Sequence, residues 1–230
     1  MELLKSQLIL THERTIKIHD KTSEQGFCAE SLMFIRDLAI TLRLSQPCVA
    51  TAQVYFNIFA VNHSKFKYDC LLLATACLFL AGKVLEQPRH LETFCKGFYE
   101  RRAAIQMARN PRLQVPPMSP AMLQKFKQSI IDYEFNVLDV IGFNTEIPLP
   151  YSYITNFVNS YNLQPKLKDS FLRCANNFAN DSFRTLVALK KEAENIARAC
   201  IFLASKYLNI EAMVVADPET VEIILELYNN

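Results

Sequence analysis

Half of the 230 residues are apolar, about a fifth are charged, and 25 basic against 23 acidic side chains leave a formal charge of +2. This is a globular composition, long enough for one large core or two ordinary ones, and its near-balanced charge argues against a free-standing nucleic-acid binder, which needs a clustered basic face. Seven cysteines stand singly, with no C-x-x-C pair, and read as core residues in a reducing compartment; the longest apolar run, Cys70 to Gly82, is too short to span a bilayer, so neither membrane insertion nor secretion is expected.

Residues 1–21 mix apolar and charged positions without clean periodicity and read as an N-terminal arm with the potential for a short helix. Thr22-Ser23-Glu24-Gln25 offers a hydroxyl cap, and Cys28, Leu32, Ile35, Ala39 and Leu42 follow at helical spacing, which predicts a first helix over about 23–44. Ser45-Gln46-Pro47 starts a second helix with a broad apolar face (Val49, Ala52, Tyr55, Phe56, Phe59, Ala60), closed by Asn62-His63-Ser64. From Cys70 to Lys83 a third helix has no polar face and must be surrounded by the others; Pro88 forbids its continuation.

Leu91 to about Met107 supports a fourth helix, weakened by Gly97, and the three prolines in Asn110–Pro117 make that stretch a surface loop. Ser119-Pro120 caps a long fifth helix whose buried stripe is Leu123, Phe126, Ile130, Tyr133, Val137, Leu138 and Ile141; Gly142 suits its left-handed end. Asn144–Pro150, with two prolines, is a linker. Four more helices follow: Tyr151–Tyr161, Pro165–Asp181, about Lys191–Asn209, and one capped by Asp217-Pro218-Glu219 that runs to Tyr228. Only Met213-Val214-Val215 is β-like, and it is too short to start a sheet.

The third helix recurs. Ala74, Ala76, Cys77, Phe79, Leu80, Ala81 and Lys83 meet identical residues 123 positions later (197 − 74 = 123), and placing Pro47 on Pro165 (165 − 47 = 118) puts Asn62 on Asn180. A tandem duplication follows, each half built round one buried helix. The expected architecture is all-α: an arm over 1–21, a first domain over 22–143, a linker over 144–150 and a second domain over 151–230, with about five helices in each domain and the second abbreviated.

No catalytic constellation is present. Four well-separated glycines (Gly26, Gly82, Gly97, Gly142) make no phosphate loop, and His12, His19, His63 and His90 lack a paired acid and read as solvated loop residues. No Glu-x-x-His pair marks a metal-binding helix, so neither cofactor nor metal is expected. Two charged residues have two readings each. Lys83 in a last helical turn either complements the helix dipole and snorkels, or stands at a docking rim; Lys206 at the matching place favours the plainer reading. Glu134 lies amid Ile130, Ile131, Tyr133 and Phe135, a more crowded setting than a solvated acid needs.

Leu80-Ala81-Gly82-Lys83-Val84-Leu85-Glu86-Gln87-Pro88 resembles the cyclin-box signature L-A-x-K-[VI]-E-E-x-P. Val49 to Phe56 resembles helix two of that box, Glu134 to Phe143 its helix-five pattern E-x-x-[VIL]-L-x-x-[IL]-G-F, and Asn180 to Thr185 the N-D-S-x-R-T segment of transcription-type cyclins, particularly cyclins L and K. The chain is thereby similar to cyclins over about residues 24–228. The resemblance implies a nuclear regulatory subunit, itself no enzyme, that binds and activates a cyclin-dependent serine/threonine kinase in transcription or RNA-processing control. It also implies that Lys83 and Glu134 bond the kinase and each other, with Leu85 and Glu86 at the same partner-binding rim. Leu85 departs from the usual acid and suggests a more apolar rim, and a stretch of roughly 20 residues between Arg101 and Met122, as in cyclin L, leaves Lys83 and Glu134 separated by 51 positions (134 − 83 = 51). The competing reading, a general transcription factor of the TFIIB type contacting DNA through the same fold, requires C-x-x-C pairs and a clearly basic core, which the sequence does not offer.

Overall fold

In the computed structural model the described residues are 21–63, 68–161, 163–211 and 214–228, with side chains from residue 29 onward; the arm with His12 and His19, the Cys28 side chain, Ser64 and Met213 lie outside them. Among them are ten α-helices and no strand: α1 Lys21–Thr41, α2 Gln46–Asn62, α3 Cys70–Val84, α4 Leu91–Arg109, α5 Pro120–Val140, α6 Tyr151–Ser160, α7 Pro165–Ser182, α8 Val187–Lys190, α9 Ala193–Tyr207 and α10 Pro218–Leu225, which ends in a 3₁₀ turn over Glu226–Tyr228. No described helix is long and apolar enough to cross a membrane.

The all-apolar α3 sits where its composition requires, in contact with α1, α2, α4 and α5. Asp69 starts it, Oδ1 accepting from the Leu71 and Leu72 amides at 3.1 and 3.2 Å. Leu73, Leu78 and Leu80 are buried, each contributing about 1.5–3 kcal/mol of transfer free energy, and Ala74, Ala76, Ala81 and Gly82 let neighbouring helices come close. α1 starts two residues before the stretch its periodicity predicts (23 − 21 = 2) and ends three residues before that stretch does (44 − 41 = 3), the early end arising because Arg43 turns left-handed (φ 52°) and Leu44 N–H closes onto Ala39 O at 2.9 Å.

Gly97 has a packing role. A Cβ there would lie 2.8 Å from Leu38 Cδ1 and 3.6 Å from Leu42 Cδ2, and Leu38 is fully buried, so its methyl would have to shift within a packed core. Gly97→Ala gains about 1 kcal/mol of helix propensity against about 1–3 kcal/mol of overpacking. A lower urea midpoint is therefore expected, against the rise that propensity alone predicts.

The second half repeats the plan. α3 and α9 each span 15 residues at an offset of 123 (193 − 70 = 123). Both end in a left-handed residue, Glu86 (φ 56°) and Asn209 (φ 52°), again 123 apart (209 − 86 = 123). In the preceding helices Pro47 and Asn62 match Pro165 and Asn180 at an offset of 118, and the five extra residues (123 − 118 = 5) fall between the matched Asn180 and the start of α9, the segment that carries α8, a one-turn helix the periodicity did not predict. Six cysteines with described side chains are free thiols, five of them buried; burial pushes the Cys77 and Cys200 thiols well up.

The segment Asn180 to Thr185 joins the halves. Phe183 inserts beside Ala50 and Val54 of α2, while buried Asn57 donates through Nδ2 to Phe183 O at 3.1 Å and Thr185 O at 3.0 Å. Tyr55 OH donates to Thr145 O at 2.6 Å, Tyr151 OH to Asn180 Oδ1 at 2.9 Å, and Tyr228 OH to Asp181 Oδ2 at 2.7 Å. Family-like spelling in this segment thus has a structural cause.

α10 is tied down at its start. Lys191 pairs with Asp217 at 2.9 Å and with Glu219 at 2.5 Å, and the Thr220 hydroxyl, then Lys191, hold the Asp217 carboxyl down at about 2. A depressed folded-state value means this contribution is complete above pH about 4 and is lost as pH falls toward 2. Asp217→Asn is expected to flatten the acid limb of the stability-pH curve, read by circular dichroism, while leaving its alkaline limb in place.

Candidate partner-binding site

The end of α3 is shaped by backbone bonding. Glu86 N–H bonds Lys83 O at 3.2 Å and Gln87 N–H bonds Gly82 O at 2.8 Å, a left-handed stop that turns the chain sharply after Leu85. Gln87 then locks the α1–α2 corner: its Oε1 accepts from Ser45 N–H at 3.0 Å and its Nε2 donates to Ser45 Oγ at 2.8 Å. Arg89 donates to Leu42 O and Arg43 O at 3.2 and 3.1 Å. The signature therefore mixes two jobs, its tail clamping the bundle and its lysine facing outward.

Lys83 and Glu134 meet in an ion pair across α3 and α5 despite their distance in sequence. α5 is capped by Ser119, whose Oγ accepts from Met122 N–H at 3.2 Å, and runs beside α3 with Ile130 and Val137 in the core. Glu134 lies between them, 7% exposed, its Oε1 shielded from water. Lys83 Nζ stands 4.6 Å over the Phe79 ring, so the ammonium is held by an aromatic face and a carboxylate while the side chain stays half-exposed. In the second half Lys206 Nζ lies 5.4 Å over Phe202 and has no carboxylate in range among the described residues. The duplicated helix repeats the lysine on its aromatic; among the described residues a carboxylate meets it in the first half alone.

Leu85 is half-buried against the first core and Glu86 is exposed at the turn, so three of the four expected residues share one turn and Glu134 is brought to them. Sequence reasoning missed Ile131 and Phe135, 45% and 62% exposed beside Glu134. Their signal was present: both fall outside the stripe through Phe126, Ile130, Tyr133 and Val137, so a helical wheel leaves them on the surface. Two large apolar residues one turn apart next to a buried carboxylate and its half-exposed lysine suit a docking face. No cluster of three metal-ligating side chains occurs among the described residues; His63 stacks on Phe59 with centroids 4.5 Å apart, and His90 precedes α4 without bonding it through its side chain.

The family model described as Cyclin, N-terminal domain, matches residues 3–146. Cyclin-T1-4 of Arabidopsis thaliana is 30% identical over 178 residues, covering 77% of this chain and 32% of that protein. Cyclin-L1 of Homo sapiens is 32% identical over 191 residues, covering 83% and 35%. The chain thus spans about a third of the length of the curated relatives it matches. The same fold occurs in a chain of the yeast RNA Pol II CTD kinase CTDK-1 complex, at a TM-score of 0.78 and 18% identity over 98% of this chain and 72% of that one. It occurs again in the yeast TFIIK complex, at 0.62 and 16% over 99% and 92%.

Proposed function

This chain belongs to the cyclin family, and we propose that it is the non-catalytic regulatory subunit of a cyclin-dependent serine/threonine kinase acting in transcription or RNA-processing control, in the nucleus. The observation that carries this reading is the Lys83–Glu134 pair at the edge of an apolar face. Relatives of the T and L types and a neighbour described as an RNA Pol II CTD kinase complex support the transcriptional role. In this reading residues 22–143 form the first cyclin box, 144–150 the linker and 151–230 the second box.

The mechanism is a population shift. A kinase catalytic subunit needs the glutamate of its mobile helix paired with its ATP-binding lysine, and that helix moves between inward and outward states. A rigid bundle binds the inward state better and shifts the equilibrium by the difference. Rigidity comes from the buried α3 and the Gln87 clamp. Lys83, Glu134 and Glu86 form the polar part of the contact, and Leu85, Phe135 and Ile131 the apolar part. Affinity capture of the full chain from nuclear lysate followed by mass spectrometry is expected to return a kinase catalytic subunit in near-equal amount; promoter DNA or polymerase without a kinase would overturn the reading.

A further inference from the structure

The insertion between α4 and α5 builds a second concave surface. A cleft of about 520 Å³ lies between α4, α5 and the proline-rich loop. Leu72, Ala103 and Phe126 form its floor, and Leu113, Val115 and Pro116 its wall. Tyr99 OH donates to Pro116 O and pins that wall to α4. The volume falls in the range of sites that take one or two large side chains.

Charge around this cleft is one-sided. Its single acidic residue, Asp69, is already committed: Oδ1 caps α3 and Oδ2 pairs with Arg102 at 2.8 Å. Lys125 on the lining and Arg112 in the turn that leads into the wall are exposed and have no carboxylate in range among the described residues. We propose that this cleft docks a short acidic peptide segment of another protein, one whose apolar side chain fills the floor while flanking carboxylates meet Lys125 and Arg112. The surface is separate from the Lys83 face: Ser129, which lines the cleft, and Glu134 are five residues apart on α5, about 140° round the helix at 3.6 residues per turn. Both faces can be occupied together, so the segment suits a substrate or adaptor brought to the complex.

The test titrates the full chain, ¹³C-labelled at Leu, Val and Met methyls, with the peptide Ac-Asp-Glu-Leu-Phe-Asp-Glu-NH₂ and its basic counterpart Ac-Lys-Arg-Leu-Phe-Lys-Arg-NH₂. The acidic peptide is expected to give saturable shifts at Leu72, Leu113, Val115 and Met122, and the Arg112→Glu, Lys125→Glu double variant, both positions being exposed, to bind it at least tenfold more weakly. No saturable shift up to millimolar peptide, equal binding of the basic peptide, or shifts confined to α9 or the second half would overturn the proposal. No kinase is needed in this experiment, so its outcome is independent of the function proposed above.

Discussion

Lys83→Ala is expected to reduce activation of the cognate kinase by about thirtyfold, the effect of losing an interface contact of about 2 kcal/mol. Because both partners also stabilise each other, stability and binding must be separated. Removing Lys83 strands a carboxylate oxygen shielded from water, which costs about 1–3 kcal/mol, whereas Glu134→Ala releases a half-exposed lysine into solvent at smaller cost. Lys83→Ala should therefore unfold at lower urea than Glu134→Ala. The double variant Lys83→Ala, Glu134→Gln removes the stranded charge, so its urea midpoint should recover toward the parent while activation stays low. Full activation by that double variant would show that the pair only fastens α3 to α5.

Phe183→Ala is expected to be the most destabilising single change in the joint between the halves, by about 3–5 kcal/mol, since a fully buried ring is removed from between Ala50 and Val54. Asn57→Ala acts on the same joint by another route, leaving the carbonyls of Phe183 and Thr185 without their donor at about 1–3 kcal/mol per stranded group. The two residues share one contact, so their effects should combine by less than their sum. Equilibrium unfolding followed separately by probes in each half is expected to be a single transition in the parent and to split in Phe183→Ala. A single transition retained in that variant would place the coupling elsewhere.

Most of the element order was legible because long helices with caps and a clear stripe declare themselves locally. Pro120 after Ser119, Asp217 before Pro218 and the αL-compatible Gly142 mark ends that the structure keeps within a residue or two. α8 was not legible, since a one-turn helix carries too few residues to show a period. Ile131 and Phe135 were visible only as residues left off a stripe, and nothing local distinguishes a docking face from a stray exposed side chain.

What the sequence determined by itself was the duplication, the burial of α3 and the residue types at its end: a helix with no polar face has one solution, and identical residues at a fixed offset need no coordinates. Tertiary structure decided which of the two equivalent lysines meets a carboxylate among the described residues. Lys83 and Lys206 follow the same aromatic at the same spacing, and local sequence cannot tell them apart. The difference is that α5 crosses α3 and carries Glu134 to Lys83 over 51 positions and a proline-rich loop, a contact made by packing two stripes together and therefore absent from any short window of the chain.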